Sequence, residues 1–148
     1  MSDAFPDELE VVIEVPRLGF IKRKDDGSVD FISPLPCPFN YGSVPGTRSG
    51  DGDREDAVVL GPRLPRGTKV RVPVLARVQF IDAGLPDPKW ICGTGPLANA
   101  DRSAVRSFFT FYARAKRVLY SLRGRAAPDT RYAGIEDKPA RRSTETKP

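Results

Sequence analysis

Four acidic residues crowd into Gly50-Asp-Gly-Asp-Arg-Glu-Asp56, where Asp51, Asp53, Glu55 and Asp56 lie within six positions. Carboxylates so spaced repel one another, so clustering them gains a fold nothing unless a cation sits among them. Gly50 and Gly52 let the chain turn sharply enough for the side chains to converge. Asp56 opens the apolar run Ala57-Val-Val-Leu60, which predicts a carboxylate held at the mouth of a strand. An EF-hand loop needs Gly at its sixth position and Glu at its twelfth, and counting from Asp51 those positions hold Asp56 and Pro62. That reading fails. A second acidic loop, Asp82-Ala-Gly-Leu-Pro-Asp-Pro-Lys89, sets two carboxylates on either side of a tight Gly/Pro turn with a lysine beside them, so that both can face one point. Glu14 adds a further carboxylate near the end of a β-branched run. The chain has no histidine, which excludes Ser-His-Asp and Cys-His nucleophiles and His-ligated zinc or iron. All-oxygen ligation suits a hard cation, Mg2+ first with Mn2+ as the alternative. Several carboxylates around such ions, with Lys and Tyr nearby, equip a site for phosphoryl transfer to water.

The elements that must position these loops are mostly strands. Glu10-Val-Val-Ile-Glu-Val15 is a strand by composition, and Asp25-Asp-Gly-Ser28 between two short runs predicts a hairpin. Four prolines between Ser33 and Gly46 predict an extended connector. Ala57–Leu60 reads as a short buried strand and Leu64-Pro-Arg-Gly67 as a turn. Thr68–Ile81 reads as one long strand or two, bent near Pro73, and Lys89–Cys92 as another strand. Five to seven short strands suggest a small barrel or sandwich. The pattern changes once, after Pro96. Val105, Phe108, Phe109, Tyr112, Val118, Leu119 and Leu122 recur at three- and four-residue spacing, predicting an amphipathic helix of about six turns. Asn99 or Asp101 can cap its start and Gly124 marks its end.

One domain's worth of chain, 148 residues, holds this pattern, and its 15 prolines argue against a helical bundle. No apolar run approaches the ~18 residues of a membrane span, so no membrane partner is expected. The acidic start MSDAFPDELE lacks the features of a secretory signal, and a cytoplasmic protein is expected. Residues 1–113 carry 14 Lys and Arg against 15 Asp and Glu, whereas residues 114–148 carry 10 against 4. The basicity is thus a property of the C-terminal end, and nucleic acid is not expected as a partner. Trp90, Cys37 and Cys92 read as core residues, the cysteines having no base nearby to activate them.

Five motifs in order carry a family resemblance: Glu10-Val-Val-Ile-Glu-Val-Pro16, Pro38-Phe-Asn-Tyr-Gly42, Asp51–Leu60, Asp82 to Lys89, and Phe108-Phe-Thr-Phe-Tyr112. Together they resemble the soluble family I inorganic pyrophosphatases, over most of the chain from Leu9 to Leu122. The resemblance implies a mainly β fold with α, an OB-like five-stranded barrel with one long C-terminal helix packed against it. It assigns residues 1–124 to a pyrophosphatase-like barrel plus helix and leaves 125–148 as a basic, flexible tail. It also implies Mg2+-dependent hydrolysis of pyrophosphate to two phosphates by a homo-oligomer. Asp51, Asp56 and Asp87 would share the ions that activate water, and Asp82 with Asp87 would hold a further, substrate-associated ion. Asp53 would take the proton of the attacking water, Glu14 would serve the outer metal shell, and Lys22, Tyr41, Lys89 and Tyr112 would hold phosphate oxygens.

The chain departs from the family pattern at Arg54 and Glu55, where Pro or Glu and an apolar residue are usual, in a shorter loop between Cys92 and Val105, and at three further positions that change charge. Lys24 stands where an acidic residue is usual, and Phe31 and Ala113 stand where phosphate-binding cations are usual. Arg114, Lys116, Arg48 and Arg54 are the nearby candidates for replacement charge. Two alternative readings follow from these departures: an enzyme acting on another phosphoanhydride, or a non-catalytic barrel that binds anions or nucleic acid.

Overall fold

Alternation of buried and half-buried residues along β1 (Glu8–Val15) puts Val11, Ile13 and Val15 into the interior, as the β-branched run predicts. This strand comes from a computed structural model of the chain, which describes residues 5–19, 21–23, 29–32, 36–47, 54–124 and 129–139, with 21–23 and 29–32 as backbone alone. The predicted hairpin is present as β2 (Ile21–Arg23) paired antiparallel with β3 (Val29–Ile32), and its turn lies outside the described residues. There follow β4 (Asn40–Val44), β5 (Glu55–Val59), β6 (Lys69–Asp82), β7 (Leu85–Pro86), β8 (Lys89–Cys92), α1 (Asn99–Leu122) and β9 (Arg131–Asp137).

Five of these strands close on themselves in the order β1-β4-β5-β8-β6, with β6 returning to β1. Closure leaves the ring no free edges, and one helix packs on it, as the resemblance implies. Every contact in the ring is antiparallel except β5 with β8. One face of the ring packs on α1, with Val15, Tyr41, Val58, Val78, Phe80 and Ile91 meeting Val105, Phe109 and Ala113. The opposite face gathers Val11, Ile13, Ala57, Val59, Trp90 and Cys92 into a second apolar cluster. Both cysteines are buried and free, and burial pushes their thiols up to about 12, so neither is a nucleophile at neutral pH.

Several expectations need correction. The connector predicted from Ser33 to Gly46 contains β4, all five residues of which are buried. Prolines flank that strand without interrupting it, so their count hid it. β6 runs unbroken through Pro73, and its irregularity falls just beyond, between Val74 and Ala76. The helix begins and ends where expected, with Gly124 in the left-handed region at φ 72°. Asp101 accepts a hydrogen bond from the Ala98 N–H at 3.2 Å, closing its first turn. Val118 and Leu122, however, are exposed; the buried stripe runs instead through Val105, Phe109, Ala113 and Tyr120. The stretch read as tail contains β9, which pairs with β6 from Ala76 to Ile81. Its polar, alternating sequence Arg-Tyr-Ala-Gly-Ile-Glu-Asp carries too weak an apolar signal to be recognised alone.

Candidate active site

Parallel pairing of β5 with β8 sets Asp56 beside Lys89, and antiparallel pairing of β4 with β5 sets Ser43 opposite Asp56. Residues directly opposite on paired strands share a face, so three strands deliver side chains to one place. Gly42 makes the approach possible. A Cβ there would lie 2.1 Å from the Val12 carbonyl oxygen on β1, so no other residue lets β4 pack this closely. Tyr41, the preceding residue, donates its hydroxyl hydrogen to Asp56 Oδ2 at 2.8 Å.

The centre of the cluster is a buried ammonium. Lys89 Nζ donates to Asp56 Oδ2 at 2.9 Å and to Asp87 Oδ2 at 2.8 Å, and its side chain is 1% exposed. Its charge lies 5.5 Å from the centre of the Phe80 ring. Burial acts to strip this proton, but Asp56 and Asp87 outweigh it and hold the ammonium above the ordinary lysine value. Burial likewise drives the Tyr41 phenol well above its ordinary value of 10.0, and the neighbouring Asp56 carboxylate adds to the rise. Tyr41 therefore stays a hydrogen-bond donor at any physiological pH. Two carboxylates thus meet at one ammonium.

Asp82 closes the other end, at the last position of β6. Ala83 and Gly84 both have positive φ (53° and 82°) and join β6 to β7 by a two-residue hairpin turn. Asp82 Oδ2 accepts from Lys116 Nζ at 2.7 Å and Oδ1 accepts from the Tyr120 hydroxyl at 2.6 Å. Burial pushes this carboxyl up, but the bonds from Lys116 and Tyr120 prevail and hold it below its ordinary value of 3.8. Tyr112 joins the two ends. Its ring packs on Phe80 with centroids 5.7 Å apart, and the Lys116 ammonium lies 5.5 Å from its centre.

Of the residues singled out in the sequence, the fold brings Tyr41, Asp56, Asp82, Asp87, Lys89 and Tyr112 to one side of the ring near α1. Asp82 accepts its hydrogen bonds from α1, from Lys116 and Tyr120, while the Lys89 charge also helps to hold its carboxyl down. Glu14 is half-buried where the β1–β4 register shifts, next to Val15, whose partner is Tyr41. Asp51 and Asp53, together with Arg48 and Lys24, lie outside the described residues, as do the side chains of Lys22 and Phe31. Ala113 is buried in the core between ring and helix. Arg54 and Arg114 are exposed, and Lys116 is the candidate replacement cation that points into this region. The signal for Lys116 and Tyr120 was present: Tyr112, Lys116 and Tyr120 recur every four residues on one helix face.

Carboxylate oxygens are the donors a hard divalent cation takes. The Ser43 hydroxyl, buried opposite Asp56 without a hydrogen-bond partner among the described residues, fits a further oxygen ligand or a water held by one. No group of three or more acidic or thiol side chains gathers tightly enough to hold an ion among the described residues.

A family model for inorganic pyrophosphatase matches residues 11–122. The chain is 36% identical over 95 residues to an inorganic pyrophosphatase of Gluconobacter oxydans, covering 59% of this chain and 55% of that protein. It thus spans about half the length of that relative. It is 29% identical over 134 residues to an inorganic pyrophosphatase of Aeropyrum pernix, covering 75% and 76%. Among solved structures it is similar to an inorganic pyrophosphatase of Coxiella burnetii, with a TM-score of 0.71, 26% identity, and coverage of 93% and 91%.

Proposed function

The chain belongs to the inorganic pyrophosphatase family, and from that premise we propose that it hydrolyses inorganic pyrophosphate to two phosphates with the help of Mg2+. The observation that carries the reading is the buried Asp56–Lys89–Asp87 cluster with Tyr41 bound to it, inside the matched span. A hydrophobic core gains nothing from two carboxylates and an ammonium unless the site uses them.

Asp56 and Asp87, joined by Asp51, are the residues that would hold Mg2+, with Glu14 behind them. When bound, the ion lowers the pKa of water and polarises phosphoryl oxygens. Asp53 takes the proton of the attacking water. Lys89 opposes the charge of the phosphate oxygens while keeping the two carboxylates from repelling each other. Tyr41 and Tyr112 donate hydroxyl hydrogens to phosphate oxygens, and Lys22 contributes a further cation. Asp82 differs from the others in being paired with a cation of α1, Lys116, with Tyr120 bonded to its second oxygen. The same reading includes a cytoplasmic homo-oligomer, with the exposed Val118 and Leu122, one turn apart on α1, as apolar surface available for contact. No helix among the described residues is long and apolar enough to cross a membrane.

The test is phosphate release from pyrophosphate at saturating Mg2+, beside a panel of nucleoside triphosphates. Release from pyrophosphate well above that from every nucleotide is expected. Preference for a nucleotide would move the assignment to another phosphoanhydride.

A further inference from the structure

We propose that the ammonium of Lys116 permanently occupies, at Asp82, the place that the family resemblance gives to a substrate-associated metal ion. The inference rests on the hydrolytic reading above and changes it at one corner: the protein supplies that positive charge itself.

The argument is one of charge and geometry. Asp56 and Asp87 both accept from the Lys89 ammonium. Asp82 is matched one for one. Lys116 Nζ lies 2.7 Å from Oδ2, and Tyr120 fills Oδ1 at 2.6 Å. The pair is largely withdrawn from water, with side-chain exposures of 20% for Lys116 and 9% for Asp82. The ammonium also rests over the rings of Tyr112 and Tyr120, 5.5 Å and 5.8 Å from their centres. A divalent ion binding Asp82 would have to expel this ammonium or sit against it in a poorly hydrated place, and either opposes binding. The helix cannot yield easily. Phe109 and Ala113 anchor α1 in the core, and Arg117 donates to the Thr130 carbonyl oxygen at 2.6 Å.

The test counts ions and does not read turnover. Mn2+ bound per chain is measured by equilibrium dialysis at saturating imidodiphosphate, a non-hydrolysed pyrophosphate analogue, for the full-length wild type, Asp82→Asn and Lys116→Met. The wild type and Asp82→Asn are expected to bind equal numbers of Mn2+, and Lys116→Met one more, because it frees the Asp82 carboxylate. A loss of one ion in Asp82→Asn, or an unchanged count in folded Lys116→Met, would overturn the proposal. Should Lys116→Met not fold, the Asp82→Asn comparison decides alone. Failure of the hydrolytic reading shows elsewhere, as Mn2+ binding without phosphate release from pyrophosphate.

Discussion

Lys89 is the residue on which the site depends most, because it is the cation that both Asp56 and Asp87 touch in a nearly dry interior. Lys89→Met keeps the stem but leaves two buried carboxylates facing each other, and breaking such a pair costs about 3–5 kcal/mol. Urea unfolding at pH 7 should show that loss. Asp82 and Lys116 set the pH range of a second contribution. The folded Asp82 carboxyl titrates below its ordinary 3.8, so its share of stability is complete above that value and disappears as pH falls through the folded one. Lys116 is held above its ordinary 10.5, so its share is complete below 10.5 and disappears only at more alkaline pH. Lys116→Met should therefore lower stability by about 1.5–3 kcal/mol across neutral pH, with the difference from wild type shrinking below pH 4. A constant difference down to pH 2 would separate Lys116 from Asp82. Asp53→Asn keeps shape and one acceptor but cannot take a proton, so turnover should fall on the order of 10²-fold while metal binding survives.

The hairpin turn at Ala83-Gly84 decides where Asp82 stands, and the two residues that lead into β9, the strand that sequence reading missed, hold that turn. The Ala83 N–H donates to Thr130 Oγ1 at 3.0 Å, and the Gly84 N–H donates to the Asp129 carbonyl oxygen at 2.7 Å. Thr130 is 2% exposed, so Thr130→Val leaves the Ala83 N–H without its acceptor, costing about 1–3 kcal/mol in thermal or urea unfolding. Its amide should also exchange faster with solvent. Ala83 itself sits at φ 53°, where asparagine is better tolerated and Asn-Gly is the favoured pair. Ala83→Asn is accordingly expected to stabilise the protein by about 0.5–1 kcal/mol, raising Tm with no loss of activity.

At the scale of the molecule, sequence and fold agree where local signals suffice. β-branched runs marked β1, β5 and β8, and three- and four-residue spacing marked α1 with its end at Gly124. Two things were not legible. β4 and β9 are strands because neighbours pair with them, β1 and β5 on one side and β6 on the other, and no local pattern announces such partners. The partition of carboxylates between two lysines was hidden for the same reason: Lys116 is 34 residues from Asp82 in sequence, and only the packing of α1 brings them together. Asp56, Asp82 and Asp87 stood out in the sequence because carboxylates so spaced have no apolar explanation.

The central claim is that Asp56 and Asp87, clamped by Lys89, form a Mg2+-dependent site for pyrophosphate. Titrating Mg2+ against the initial rate of phosphate release from pyrophosphate, for wild type and for Asp56→Asn, tests it most directly. Asp56→Asn is nearly isosteric, and a melt confirms that it folds. The account predicts no release from wild type without Mg2+, saturable release with it, yielding two phosphates per pyrophosphate, and a rate lowered on the order of 10²-fold or more in Asp56→Asn. Release that is indifferent to Mg2+, or undiminished in folded Asp56→Asn, would contradict it.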